Sequence, residues 1–170
     1  MSGSIPAGIY ITNSATACHY VSIHSKAKLV VVDSNEQLQK YCDLNTEQKS
    51  KLVNLKTLVL WGNVAIDSDI KKKCSFDVMT WDDFMSLGNI ISENMLNNRM
   101  NLVKPGHCVS LIYTSGTTGT PKAVMLSHDN ITWECKVFAT EYVKDGLIPG
   151  RLVSYLPLSH VAAQMIDIHY

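Results

Sequence analysis

Short apolar runs rich in β-branched residues alternate along this chain with segments whose apolar positions fall at helical spacing. Ile9-Tyr10-Ile11-Thr12 reads as a strand, and Asn13 or Ser14 is placed to cap a helix running to about Lys26. Leu29-Val30-Val31-Val32 is apolar without alternation, the pattern of a strand covered on both faces of a sheet. Asp33 or Ser34 then opens a helix carrying Leu38 and Tyr41, a further helical piece follows Thr46, and Thr57-Leu58-Val59-Leu60 is the next strand. Thr80 with Asp83 three residues on forms a capping box for a short helix holding Phe84 and Leu87.

Residues 88–104 are polar and Asn-rich and read as a loop or weak helix. Pro105-Gly106 makes a turn before an apolar strand at 109–113. Ile131, Cys135, Phe138 and Tyr142 recur at spacings of four, three and four, one face of a helix. Leu152-Val153-Ser154-Tyr155-Leu156 reads as a last strand, and Pro157-Leu158-Ser159-His160 leads into a helix of small residues. Strands alternating with helices predict an α/β fold, a mostly parallel sheet flanked by helices.

The segment with the clearest chemistry is Tyr113-Thr114-Ser115-Gly116-Thr117-Thr118-Gly119-Thr120-Pro121-Lys122, directly after the strand at 109–113. Glycines let backbone N–H groups approach a ligand, hydroxyls add donors, and a lysine adds positive charge, which together suit a polyphosphate. Ligands of open α/β sheets sit beyond the carboxyl ends of strands, where this loop lies. Two common phosphate motifs fail. Counted from Gly116, Pro121 stands where a Walker A loop needs its second glycine, and Ala123 where it needs Ser or Thr. A dinucleotide fingerprint fails because Gly116 and Gly119 have no glycine between them.

The loop resembles the signature motif of the adenylate-forming superfamily of acyl-CoA synthetases, luciferases and peptide-synthetase adenylation domains. Ser154-Tyr155-Leu156-Pro157-Leu158-Ser159-His160-Val161-Ala162-Ala163-Gln164-Met165 is similar to a second motif of the bubblegum-type long-chain fatty-acid–CoA ligases. So are Gly8–Ser14, Val30–Asp33 and Val124–Trp133. The likeness covers most of the chain but little of 62–75 and 88–104. It implies that Thr114, Ser115, Gly116, Thr117, Thr118, Gly119, Thr120, Pro121 and Lys122 hold the β- and γ-phosphates of ATP, with Mg²⁺ as the accompanying cation. It implies that His160 lines the acyl pocket, although a lone histidine before a helix reads equally as a packing residue.

The implied reaction is ATP-dependent acyl adenylation followed by thioester formation with CoA. The implied partners are a long-chain fatty acid, ATP and CoA, with peripheral contact to intracellular membranes. The resemblance places the catalytic residues downstream of Tyr170 and makes residues 1–170 an N-terminal AMP-binding domain incomplete at both ends. An inactive segment serving as an interaction module, and a ligase for another carboxylate, are the competing readings. One departure is Ala123, where the resembled pattern has glycine; in a left-handed conformation alanine would cost on the order of 1 kcal/mol.

Bulk properties agree with a cytoplasmic, non-secreted globular protein. The 170 residues are 46% hydrophobic and 18% charged, with a formal net charge of zero, which argues against nucleic-acid binding through bulk electrostatics. Lys71-Lys72-Lys73 reads as a solvated loop. Five cysteines without a C-x-x-C pair argue against a disulfide framework or a zinc site and for a reducing compartment, with Cys18 and Cys108 as buried thiols. His19, His24, His107 and His169 lack metal-ligand spacing. His128 and Asp129 suggest a charge pair, but a helix start at Ser127 or Asp129 is the stronger reading, and Trp133 and Phe138 read as core.

Overall fold

The computed structural model describes residues 3–44, 46–114, 121–144 and 153–164. The chain divides into two compact units, one of Ile11–Glu93 and one of Met1–Tyr10 with Asn94–Tyr170. Helices and a parallel sheet give the α/β class expected from the alternating pattern.

The unit of Ile11–Glu93 runs α1 (Ala15–His24), β1 (Leu29–Val32), α2 (Asn35–Cys42), α3 (Thr46–Lys51), β2 (Thr57–Leu60), α4 (Ser68–Lys73), β3 (Asp77–Thr80) and α5 (Trp81–Ser86). Its three strands are parallel in the order β1-β2-β3, so each connection must cross over and does so through helices. Leu29 pairs with Thr57 and Thr57 with Asp77, so the three strands start level. The central strand is sealed on both faces: Leu58, Val59 and Leu60 are each 0% exposed. β1 departs from its uniform apolar sequence. Val30 is buried while Leu29 and Val31 are exposed, because β1 is an edge strand covered on one face among the described residues.

Helix ends follow the local chemistry. Ser14 accepts from the Ala17 N–H, Ser34 from the Gln37 N–H, and Asp67 from the Asp69 and Ile70 N–H groups. Thr80 accepts from the Asp83 N–H at 3.2 Å and donates to its carboxylate at 2.7 Å, the anticipated capping box. α1 stops at His24 rather than near Lys26. Lys26 turns left-handed at φ 54°, its N–H reaching Ile23 O at 3.1 Å while the Ala27 N–H reaches Ser22 O at 2.9 Å. These two bonds make a Schellman cap with lysine in the place that favours glycine.

The lysine run at 71–73 is the last turn of α4 rather than a loop, exposed as anticipated and suited to the negative end of a helix dipole. The segments α4 and β3 carry weak patterns and were not anticipated.

A small polar cluster sits inside this apolar core. Ser22 Oγ donates to Cys18 O at 2.9 Å and lies 3.0 Å from the Tyr41 hydroxyl. The His19 ring meets Tyr41 edge-on at 5.6 Å and donates to Lys40 O. Burial pushes the Tyr41 hydroxyl well above its ordinary range, so it stays a neutral donor and acceptor.

The other unit contains α6 (Glu93–Asn101, from Asn94 on), β4 (Cys108–Thr114), β5 (Lys122–Ser127), α7 (His128–Lys144) and α8 (Val161–Ala163). α6 takes the helical side of the loop-or-weak-helix reading of 88–104 and buries none of its residues. β4 and β5 form a separate two-stranded antiparallel sheet, so strand pairing among the described residues is not parallel throughout. Ser127 ends β5 and caps α7 at once: its Oγ accepts from the Asn130 N–H at 3.1 Å, and its own N–H donates to Asn130 Oδ1 at 3.0 Å. On the helix, Ile131 is buried and Cys135 and Phe138 are half-buried, whereas Trp133 is 61% exposed and not core. Cys108 is half-buried rather than buried; Cys18 is buried.

Two anticipated strands do not form. Ile9–Thr12 ends in a turn, and the only ladder contact among the described residues nearby is a single parallel bridge from Ala7 to Leu111, with the Leu111 N–H donating to Pro6 O at 2.9 Å. Pro6 has no N–H to extend that ladder. Leu152 lies outside the described residues, and Val153–Tyr155 pair with no strand among them, leaving Val153 and Tyr155 exposed. No helix among the described residues is long and apolar enough to cross a membrane.

Two stability outcomes follow. Leu58→Ala opens a cavity in the sealed strand and should lower unfolding free energy by about 2–5 kcal/mol in urea titration. Lys26→Gly relieves the left-handed residue at an exposed position and should raise it by roughly 1 kcal/mol; an unchanged or lower midpoint would contradict the Schellman assignment.

Candidate functional site

The register of β4 against β5 builds the site. Ile112 faces Val124, Tyr113 faces Ala123, and Thr114 faces Lys122, the last pair of the ladder. Paired Cα atoms across an antiparallel ladder lie about 4.5–5.5 Å apart. The pairing brings Thr114 and Lys122, the residues on either side of 115–121, next to each other. Sequence reading placed this loop between a strand and a helix, whereas it joins two antiparallel strands. The missed signal is Val124-Met125-Leu126, a short apolar run between Lys122 and the Ser127 cap.

Cross-strand partners project to the same side of a sheet. Thr114 and Lys122 therefore present a hydroxyl and an ammonium side by side at the loop mouth, both exposed. Pro121, half-buried, cannot donate to the ladder, so the ladder begins at Lys122. Among the described residues the ion pairs are Lys51–Glu47 and Lys72–Asp69, and Lys122 belongs to neither. Ser115, Gly116, Thr117, Thr118, Gly119 and Thr120 lie outside the described residues.

Ala123 sits within β5 opposite Tyr113, and Lys26 is the one non-glycine residue with positive φ among those described. Alanine in place of the family's glycine is therefore unstrained, and the cost considered from the sequence does not arise.

His160 lies on a different segment. Its Nδ1 accepts from the Ala162 N–H at 3.1 Å, so it caps α8 with its side chain. Its backbone N–H donates to Pro157 O at 2.8 Å, and the Gln164 side chain donates to Leu158 O at 2.7 Å. With Nδ1 engaged as acceptor, a neutral ring keeps its proton on Nε2, which leaves one directed donor.

No described contact joins His160 to Thr114 or Lys122. The N-terminal segment links their neighbourhoods instead. Ala7 bridges β4 at Leu111, and Gly8 lies flat against Ser159. A Cβ on Gly8 would come within 2.9 Å of Ser159 Cα, so only glycine permits this approach. Gly8 was quoted from the sequence as part of a family-like segment, but its structural task was not legible there. No group of three or more His, Cys, Asp or Glu among the described residues could hold a metal ion.

Comparison with known proteins agrees with this architecture. The family model of AMP-binding enzymes matches residues 1–170. Long-chain-fatty-acid–CoA ligase ACSBG2 of Xenopus laevis is 44% identical over 168 residues, covering 98% of this chain and 21% of that protein. Human ACSBG2 is 42% identical over 99% of this chain and 24% of its own length. Human ACSBG1 is 38% identical over 98% of this chain and 22% of its own length. The chain thus spans under a quarter of the length of these curated relatives.

Among solved structures, the adenylation domain of carboxylic acid reductase from Segniliparus rugosus superposes with a TM-score of 0.63 at 16% identity, over 92% of this chain and 26% of that one. The A-PCP didomain of the same reductase gives 0.62 at 17% identity, over 90% and 22%. The fold is that of adenylation domains, and the chain belongs to the AMP-binding enzyme family.

Proposed function

We propose that this chain carries the triphosphate-binding part of a long-chain fatty-acid–CoA ligase. The observation that carries the reading is the Thr114–Lys122 closing pair, which sets a hydroxyl and a cation without an ion pair among the described residues at the mouth of a Gly/Thr/Ser loop. The residues fit a polyphosphate: backbone N–H groups and hydroxyls of 114–120 as donors, with Lys122 as counter-charge. The relatives named as long-chain-fatty-acid–CoA ligases support the substrate class.

On this reading a fatty-acid carboxylate attacks the α-phosphate of ATP, pyrophosphate leaves, and the thiol of CoA displaces AMP from the acyl-adenylate. An anion attacks a polyanion, so the barrier is mainly electrostatic, and Mg²⁺ bound with the nucleotide supplies further charge neutralisation. Lys122 and Thr114 hold the departing phosphates rather than act as nucleophiles. His160, with its proton on Nε2, orients groups in the acyl pocket. The Gly8–Ser159 contact sets where that histidine stands. The same reading puts the protein in the cytoplasm, at the periphery of membranes that supply long-chain acids.

The test measures Mg-ATP binding and pyrophosphate release with palmitate and CoA. Lys122→Ala should weaken ATP binding about tenfold or more, the loss of a charge-assisted contact. Gly8→Val should leave ATP binding within about threefold of the parent and reduce palmitate-dependent pyrophosphate release, because it displaces the Ser159–His160 segment. ATP binding unaffected by Lys122→Ala would sink the phosphate assignment.

A further inference from the structure

Two helices in the unit of Ile11–Glu93, α2 of eight residues and α4 of six, are pinned to each other at one end. Asn35, the first residue of α2, accepts from the Asp67 N–H at 3.0 Å and donates to Ala65 O at 3.0 Å. Asp67 is the N-cap of α4, and α2 packs along α4. Cys42 follows Asn35 by seven positions and Cys74 follows Asp67 by seven. At about 1.5 Å per residue seven positions advance about 10 Å from the common origin, which brings Cys42, the last residue of α2, level with Cys74, the residue that caps α4. The two thiols meet there and are hydrogen-bonded to each other. Both are free; Cys42 is buried and Cys74 half-buried.

We propose that Cys42 and Cys74 are a redox-active pair that closes to a disulfide on exposure to a hydroperoxide and reopens with a thiol reductant. Cys74 is the attacking sulfur, because it is the half-buried member of the pair whereas Cys42 is buried. The hydrogen bond from Cys42, the backbone N–H groups of Phe76 and Ser75 and the charge of Lys49 pull its thiol down to about 7 against the opposing effect of burial. Donating that hydrogen bond, together with burial and the Asp43 charge, pushes the Cys42 thiol up, so it waits as the resolving group.

The Cys74 thiolate attacks the peroxide oxygen, the O–O bond breaks, and the departing alkoxide or hydroxide takes up a proton. Cys42 then gives up its proton and attacks the Cys74 sulfenic acid. The S–S bond forms, the S–O bond breaks, and water leaves. Both thiols are oxidised by one electron each and the peroxide is reduced by two. The product ties the C-terminal end of α2 to the cap of α4. No other cysteine takes part: Cys18, Cys108 and Cys135 are not in contact with either sulfur in any interaction described above.

The test is peroxide titration of the full chain followed by mass spectrometry without reductant. Cleavage after lysine and arginine places Cys42 on peptide 41–49 and Cys74 on peptide 74–99. The expected product is those two peptides linked, lighter by two hydrogens, and separated again by dithiothreitol. The link should form at least about tenfold faster in the folded chain than in urea, since the fold supplies the proximity. Cys42→Ser should halt at a Cys74 sulfenic acid that dimedone traps, and Cys74→Ser should abolish the link and the trapping. Equal rates in urea, linkage through other cysteines, or oxidation of Cys74 in the parent chain without linkage would each overturn the proposal. The parent-chain measurement stands whether or not either serine variant folds.

Discussion

The register between β4 and β5 is the constraint on which the candidate site depends. A shift of one residue in an antiparallel ladder turns every side chain to the opposite face. It would carry Lys122 away from Thr114 and open the loop mouth. Two demands fix the far end of the same ladder. Ser127 must cap α7 through Asn130, and Cys108 pairs with Ser127. The slip between Cys108 and Ser110 lets both ends be satisfied: an extra residue in β4 absorbs the mismatch at the end remote from the loop. The cap and the loop mouth are thereby held by one strand six residues long.

The unit of Ile11–Glu93 solves a different problem, holding a short parallel sheet together with few residues. β2 is sealed on both faces, and of the crossover helices α2 and α4 each start at a side-chain cap. Polar groups inside it are satisfied rather than absent. Ser22, Tyr41 and the Cys18 carbonyl bond to one another, and His19 reaches Lys40 O. Such groups would cost stability if left unpaired in an apolar core, and satisfied they specify how α1 and α2 face each other.

Much of this was legible in the sequence where a local rule dominates. Ser14, Ser34 and Thr80 cap their helices as read, and Thr57–Leu60 is a strand with the bounds its apolar run suggests. Illegible features are those that depend on a partner remote in sequence. Ile9–Thr12 has strand composition, but Pro6 and the approach of Gly8 to Ser159 leave room for a single bridge. Leu29–Val32 looks doubly covered because composition does not reveal that it is an edge. The loop at 115–120 was found from its residue types. Its attachment to a second strand was hidden, because Lys122–Ser127 reads as the approach to a helix. The Cys42–Cys74 contact had no sequence spacing to announce it, since it arises where the ends of two helices with a shared origin come level.

The contact of Gly8 with Ser159 sets an order on synthesis. The residues Ile11–Glu93 are contiguous and leave the ribosome together, so that unit can fold while the rest is still being made. The other unit brackets it in sequence, with one piece made before it and the remainder after it. Its N-terminal segment must wait until Ser159 has been made for its contact with Gly8, and β4 emerges before that segment has its final packing. Until then the edge of β4 that receives Ala7 stands open to strands of other chains.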